Sequence, residues 1–247
     1  MSLEGVYPFA LKSYELDHRG RMPVWVIYRD LQEAAEYNAV DLGFDTETLL
    51  QRGLTWVLSR LQLRITSVPA GRQALEVETW PAAVESRFAY RDFRLRIPGA
   101  QEDFAYASSA WLLLDMNRMR PVTVNTHLPL KQVLDRPRMV PEPFPPLEST
   151  GSPEFSTEIR VRRADIDMND HVNNVHYVEW LAESLPESVW RNADVSALDV
   201  EYKRALKFGD TVTIQTYAYG PGAYIHRMGV AGQNGDVLRA RTVWKPL

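Results

Sequence analysis

Punctuation constrains the fold of this chain more than any other feature. Between Arg136 and Pro153 lie six of its 16 prolines. Proline at that density removes backbone donors and fixes φ, so neither a helix interior nor a paired strand forms there. The stretch 136–153 predicts an extended, fairly stiff connector; the competing reading is an ordered strap across one domain. It separates residues 1–135 from residues 154–247, and the order of elements on its two sides is the same. Each part opens on a β-like run, Tyr7–Asp17 and Ser156–Asp167, followed by a polar turn and a helix. The first helix is expected from roughly Pro23 to Asp41, with proline in its first turn and Gly43 just past its end. Ile27, Leu31, Ala34, Ala35 and Leu42 give its apolar stripe, which Asn38 interrupts. In the second helix Val175, Val178, Ala182 and Leu185 mark the buried face, and Pro186 ends or kinks it.

Four strands follow each helix: Trp56–Ile65, Ala74–Trp80, Phe88–Ile97 and Phe104–Asp115 in the first part, and Ser196–Arg204, Thr211–Tyr219, Ala223–Ala231 and Val237–Lys245 in the second. Turn residues such as Pro98-Gly99, Pro221-Gly222 and Asn234-Gly235 separate them. One helix and a run of antiparallel strands, done twice, predicts an α+β fold rather than alternating βαβ. A helix apolar on one face needs a curved sheet around it. Two helix-in-sheet units are therefore expected, sharing one continuous sheet.

Composition excludes several functions. A formal charge of −4 and a pI near 5.8 give no electrostatic case for a nucleic-acid partner. The absence of cysteine rules out disulfides, thiolate metal sites and a thiol nucleophile. No apolar run reaches the roughly 18 residues of a membrane span, and the amino terminus has neither a secretory nor a transit pattern. A soluble, cytoplasmic protein without a membrane partner is expected.

The chemistry-bearing stretch is Arg162–Glu183, where Asp165, Asp167, Asn169 and His171 stand two residues apart just before the second helix. Each has a plain reading. Aspartate before a helix is commonly a cap, asparagine a turn former, and Asp165 an acceptor at the end of a strand. His176 lies five residues after His171, off the i, i+4 spacing of a helical metal pair, so zinc is not expected. His176 reads as a partly exposed helix residue. His226 alternates with apolar neighbours and is expected on the sheet surface.

The run Asp165-x-Asp167-x-Asn169-x-His171-Val172-Asn173-Asn174-x-x-Tyr177 resembles the signature of acyl-acyl-carrier-protein thioesterases, and Leu198–Arg204 resembles that family's next strand. Gly53–Arg60, Val77–Trp80 and Ala107–Trp111 are similar to its amino-terminal half, so the resemblance runs from about Tyr7 to Trp244. It implies a tandem hotdog fold. The carboxy-terminal unit would be catalytic, the amino-terminal unit would form the acyl-chain pocket, and the reaction would release free fatty acid from its carrier. By position Asp167, Asn169 and His171 match the family's catalytic residues. The match departs in one place: plant members carry an acid and a cysteine where Ala205 and Leu206 stand here.

Thioester hydrolysis needs no metal or cofactor. It needs an activated water or a carboxylate, donors for the oxyanion and a proton for the thiolate. Two roles stand open for Asp167, general base or nucleophile. Asn169 is expected to orient the carboxylate or water, or to donate to the carbonyl. His171 is expected to polarise the carbonyl or protonate the leaving thiolate. The amides near Asn173 and Asn174 are candidate oxyanion donors at the helix start, or else simply caps. The first-half equivalent, Asp17–Met22, keeps the aspartate alone and reads as non-catalytic. The expected partner is acylated acyl carrier protein, an acidic protein, met by Arg160, Arg162 and Arg163 or by Lys203, Arg204 and Lys207. Coenzyme A as carrier, or a non-catalytic acyl-chain binder, are the alternatives. Monomer and homodimer are both compatible with a tandem unit.

Overall fold

The computed structural model describes residues 2–85, 87–128 and 136–247. The end of the expected first domain, 129–135, lies outside the described residues. The chain divides into two compact units: Met1–Pro23 with Arg29–Pro143, and Val24–Tyr28 with Phe144–Leu247.

The first unit opens on strand β1 (Gly5–Leu11) and helix α1 (Val24–Leu42), then a short helix α2 (Thr46–Leu50). Strands β2 (Leu54–Ile65), β3 (Gln73–Glu85), β4 (Phe88–Arg96) and β5 (Ala105–Asp115) follow, then the short β6 (Arg120–Val122) and α3 (Val124–His127). The sheet runs β1-β3-β4-β5-β2, with β6 beside the end of β5, and every described pairing within it is antiparallel. Helix α1 begins behind Pro23 and stops where Gly43, at φ +72, sends its N–H back to Val40. That left-handed position favours glycine because it has no Cβ to clash.

The second unit has β7 (Phe155–Arg160), helix α4 (Asn174–Glu183), the short α5 (Glu187–Asn192), and β8 (Ala193–Tyr202), β9 (Thr211–Ala218), β10 (Ala223–Val230) and β11 (Asp236–Pro246). Its sheet order is β7-β9-β10-β11-β8, also antiparallel. Numbered within each unit, the strand order is 1-3-4-5-2 both times, so the repeat seen in the sequence is a repeat of topology. The sequence did not announce α2, α3, α5 or β6.

Helix α1 carries a polar side chain into its buried face, and the sheet matches it. Asn38, the residue that interrupts the α1 stripe, is buried and accepts a hydrogen bond from the Arg91 guanidinium of β4 at 2.6 Å. The α4 stripe is broader than expected: Tyr177, Val178, Trp180, Leu181 and Ala182 are buried, while Val175 is half-exposed.

His226 corrects the sequence expectation. It is fully buried, not on the sheet surface. Its Nδ1 lies 3.0 Å from Thr216 Oγ1 and 3.3 Å from Ser184 Oγ, and its Nε2 lies 2.9 Å from Thr242 Oγ1. Burial pushes its pKa down to about 3, so the imidazole is neutral and hydroxyls satisfy both nitrogens.

The proline-dense segment is held at both ends. Arg138 makes bonds of 3.0 and 2.9 Å from Nε and Nη2 to Oδ1 of the buried Asp92, stacks on Tyr90, and is followed by Met139 N–H on Asp92 Oδ2 at 2.9 Å. Further on, Phe144 and Leu147 pack with Tyr217 and Ile225.

Candidate active site

Strand β7 ends in a one-turn 3-10 segment, Arg163–Asp165. Asp165 is fully buried and accepts the Arg162 N–H at 2.7 Å and its guanidinium at 2.7 Å. Burial alone raises its pKa, and the Arg162 donors and charge outweigh that and hold the carboxyl below the ordinary range. Its carbonyl then receives the Asn173 N–H at 2.9 Å. Asp165 is thus the structural acceptor expected, and it ties the strand end to the helix start.

Between them the chain makes a five-residue turn. The Asp167 N–H donates to the His171 carbonyl at 2.8 Å, the Asp170 N–H to the Asp167 carbonyl at 3.1 Å, and the Asn169 N–H to Asp167 Oδ1 at 2.8 Å. Asp170 at the corner has φ +58, which costs an L-residue conformational energy. Asp167 and His171 are half-buried at the base of the turn, and Asn169 is exposed near its tip. All three sequence candidates lie on one turn. Asn169 orients the carboxylate through its backbone, not its side chain.

Helix α4 starts directly behind. Asn173 is its N-cap, with Oδ1 accepting the Val175 N–H at 3.0 Å. Asn173's own N–H is spent on Asp165, so it is not the oxyanion donor the sequence suggested. The Asn174 N–H, first in the helix, makes no hydrogen bond to a described residue, and a helix start favours negative charge there.

The first unit contains the same turn. Asp17 receives the Arg19 and Arg21 N–H groups on Oδ1 at 2.8 and 2.9 Å, its N–H reaches the Arg21 carbonyl at 2.8 Å, and Gly20 sits at φ +71 where Asp170 sits in the second. The decisive difference is one side chain. Arg19 Nη2 pairs with Asp17 Oδ2 at 3.1 Å, whereas the equivalent residue is Asn169. Asp167 therefore keeps one carboxylate oxygen unbound by any described residue and carries no cation, while its counterpart is neutralised.

The loop after β8 closes one side. Leu206 is buried, its N–H donating to Tyr177 Oη at 3.0 Å and its carbonyl accepting the Val172 N–H at 2.9 Å. Ala205, where plant relatives carry an acid, is an exposed methyl beside this contact. Glu201 does not stand in for it, since its carboxylate pairs with Lys203 at 2.7 Å. His176 is partly exposed and turned to Glu179 at 2.9 Å. Tyr177 read from the sequence only as part of a motif, and its bond to the Leu206 N–H was not expected.

Among the described residues no group of three or more His, Asp or Glu side chains is placed to hold a metal, and no helix is long and apolar enough to cross a membrane.

The acyl-ACP thioesterase N-terminal domain family matches residues 7–129, and the acyl-ACP thioesterase C-terminal domain family matches residues 149–246. The chain is 26% identical over 272 residues to oleoyl-acyl carrier protein thioesterase 1, chloroplastic, of Arabidopsis thaliana, covering 96% of this chain and 75% of that protein. Among solved structures it is similar to the 12:0-ACP thioesterase of Umbellularia californica, with TM-score 0.88, 25% identity, and 100% and 99% of the two chains covered. An acyl-ACP thioesterase of Bacteroides thetaiotaomicron shares the fold, with TM-score 0.90 at 24% identity over 99% of this chain and 100% of the other. The tandem hotdog arrangement is therefore the fold of this chain.

Proposed function

The chain belongs to the acyl-ACP thioesterase family, and we propose that its second unit holds the hydrolytic centre, at the turn Asp167–His171 and the start of α4, with the first unit forming the acyl-chain pocket. The reaction is that of the family: water cleaves a fatty acyl thioester of acyl carrier protein, giving free fatty acid and the carrier thiol. We assign Asp167 as the base that takes a proton from the attacking water through its unbound oxygen. The Asn174 N–H faces the developing oxyanion, a donor type worth about 3 kcal/mol in such transition states. His171 gives the proton to the departing thiolate. Asn169 fixes the Asp167 carboxylate through its N–H.

The observation that carries this reading is the contrast between the turns. The same backbone holds a cation-paired aspartate in one unit and an unpaired one in the other.

An acidic carrier also suits the rim. Val161 N–H bonds the Asp210 carbonyl at 2.9 Å, which brings the basic stretch of β7 beside the loop carrying Lys207. Arg160, Arg163 and Lys207 pair with no described carboxylate, and Arg163 lies over the exposed Phe208 ring at 5.5 Å. The proposal sets the enzyme in the cytoplasm.

Thiol release from acyl carrier protein and from coenzyme A, over a chain-length series, tests the reading. Faster turnover of the protein-bound substrate is expected. Turnover of coenzyme A esters alone would reassign the carrier, and acylated carrier that binds without cleavage would make the chain a binding module. Asp167→Ala should lower kcat by at least about 1,000-fold with the melting temperature unchanged; near-normal turnover in that variant would remove the site.

A further inference from the structure

Two tyrosines from outside α4, Tyr202 and Tyr28, meet beside its first turn, and one of them comes from the opposite end of the sequence. Tyr28 stands near the start of α1, in the short segment Val24–Tyr28 that belongs to the second unit. It is 1% exposed, and its Oη lies 2.8 Å from Tyr202 Oη. Tyr202 ends β8, packs edge-on to Tyr177 at 5.6 Å, and places the same Oη 3.2 Å from the Asn174 carbonyl. Burial pushes both Tyr28 and Tyr202 well above the usual phenol range, so each hydroxyl keeps one proton. Tyr202 is the donor in both contacts, so its one proton is shared between the Tyr28 oxygen and the Asn174 carbonyl, and Tyr28 anchors the Tyr202 hydroxyl at that spot.

Two phenylalanines would bury the same rings without the cost of taking hydroxyls out of water. The hydroxyls act on the peptide they hold. That peptide, between Asn174 and Val175, is gripped on both sides: its carbonyl by Tyr202, its N–H by Asn173 Oδ1 at 3.0 Å. The peptide before it is held as well, its carbonyl accepting the His176 N–H at 3.0 Å. Its own N–H is that of Asn174, left facing the turn.

We propose that Tyr202, backed by Tyr28, is a positioning residue for thioester hydrolysis: it fixes the first peptides of α4 so that the Asn174 N–H meets the oxyanion. The inference rests on the site assigned above and adds to it a contribution from the amino-terminal helix. Neither tyrosine touches substrate.

The test is steady-state hydrolysis of acylated carrier protein by full-length Tyr202→Phe, Tyr28→Phe and the double variant, with melting temperatures and Asp167→Ala alongside. A misaimed donor weakens the transition state and not ground-state binding. Tyr202→Phe should therefore lose kcat by about 10-fold at unchanged KM. Tyr28→Phe removes the anchor of the Tyr202 hydroxyl but not its carbonyl contact, and should lose about threefold. The double variant should match Tyr202→Phe, because Tyr28 acts only through the Tyr202 hydroxyl.

A wild-type kcat in folded Tyr202→Phe overturns the proposal, and so does a loss that appears equally in KM or only as a smaller folded fraction. Losses that multiply in the double variant overturn the part given to Tyr28. If Tyr202→Phe does not fold, Tyr28→Phe decides by the same split of kcat from KM. A dead Asp167→Ala beside active tyrosine variants removes this proposal alone, whereas an active Asp167→Ala removes the site itself.

Discussion

Two aspartates set in the same turn differ here by a neighbour two residues away. Both Asp17 and Asp167 accept an N–H from residue i+2, yet Arg19 pairs with the first while Asn169 stands in that place beside the second. Asn169→Arg should therefore copy the first unit's chemistry into the second. A guanidinium on the carboxylate opposes proton uptake, so kcat should fall at least about 10-fold while the melting temperature holds or rises. Unchanged turnover with the new pair formed would show that Asp167 is not the base.

His226 makes a different residue-scale prediction, on stability. Its folded pKa of about 3 lies below its ordinary 6.5. The unfolded chain therefore binds a proton that the folded chain refuses. The stability it gives is complete above about 6.5 and is lost as the pH falls from there toward about 3, with a limiting slope of roughly 1.4 kcal/mol per pH unit. Urea unfolding of wild type and His226→Gln between pH 7 and 5, above the range where most carboxylates titrate, should show that slope only in the wild type; parallel curves would refute it. The residue's burial was partly legible. On β10 the period of two puts His226 on the face of Tyr224 and Met228, with Arg227 on the other, and only the hydroxyls awaiting it were hidden.

At the scale of elements, local signals carried well and distant partners did not. Pro23 and Gly43 bracket α1 within a residue of the expectation, because a cap is written in adjacent positions. The strap of residues 136–153 shows the opposite case. Its prolines forbid regular structure, but nothing local says that Arg138 reaches Asp92 on β4, 46 positions earlier, or that Leu147 packs under Tyr217. Tyr28 against Tyr202 is hidden for the same reason. Asp92 is fully buried, and Arg138 is its charge partner with Ser108 and Met139 N–H as further donors. Removing one member of such a pair leaves a buried charge uncompensated. Arg138→Ala should cost about 3 kcal/mol in chemical denaturation, with kcat of the remaining folded enzyme unchanged. A cost under about 1 kcal/mol would mean that the contact behaves as an exposed pair.

For the whole molecule, a duplicated topology has been put to two uses. Both units repeat the 1-3-4-5-2 sheet order and the turn between first strand and helix, so one backbone solution serves both. In the first copy glycine occupies the left-handed corner and arginine pairs with the acid; in the second, Asp170 accepts φ +58 and Asn169 takes the place of the arginine. The first turn gives its carboxylate a cation, and the second, proposed to hold the reacting group, does without one, as strain and stability are traded at a functional site. The pair Asp17→Ala and Asp167→Ala measures that division. Asp17 is nearly buried and accepts two backbone N–H groups and a guanidinium, so its loss should cost about 2 kcal/mol of stability and leave kcat within about twofold, a negligible barrier change. Asp167→Ala should do the reverse. If instead Asp17→Ala abolished turnover in folded protein, both turns would serve the reaction, and the assignment of catalysis to the second unit alone would be wrong.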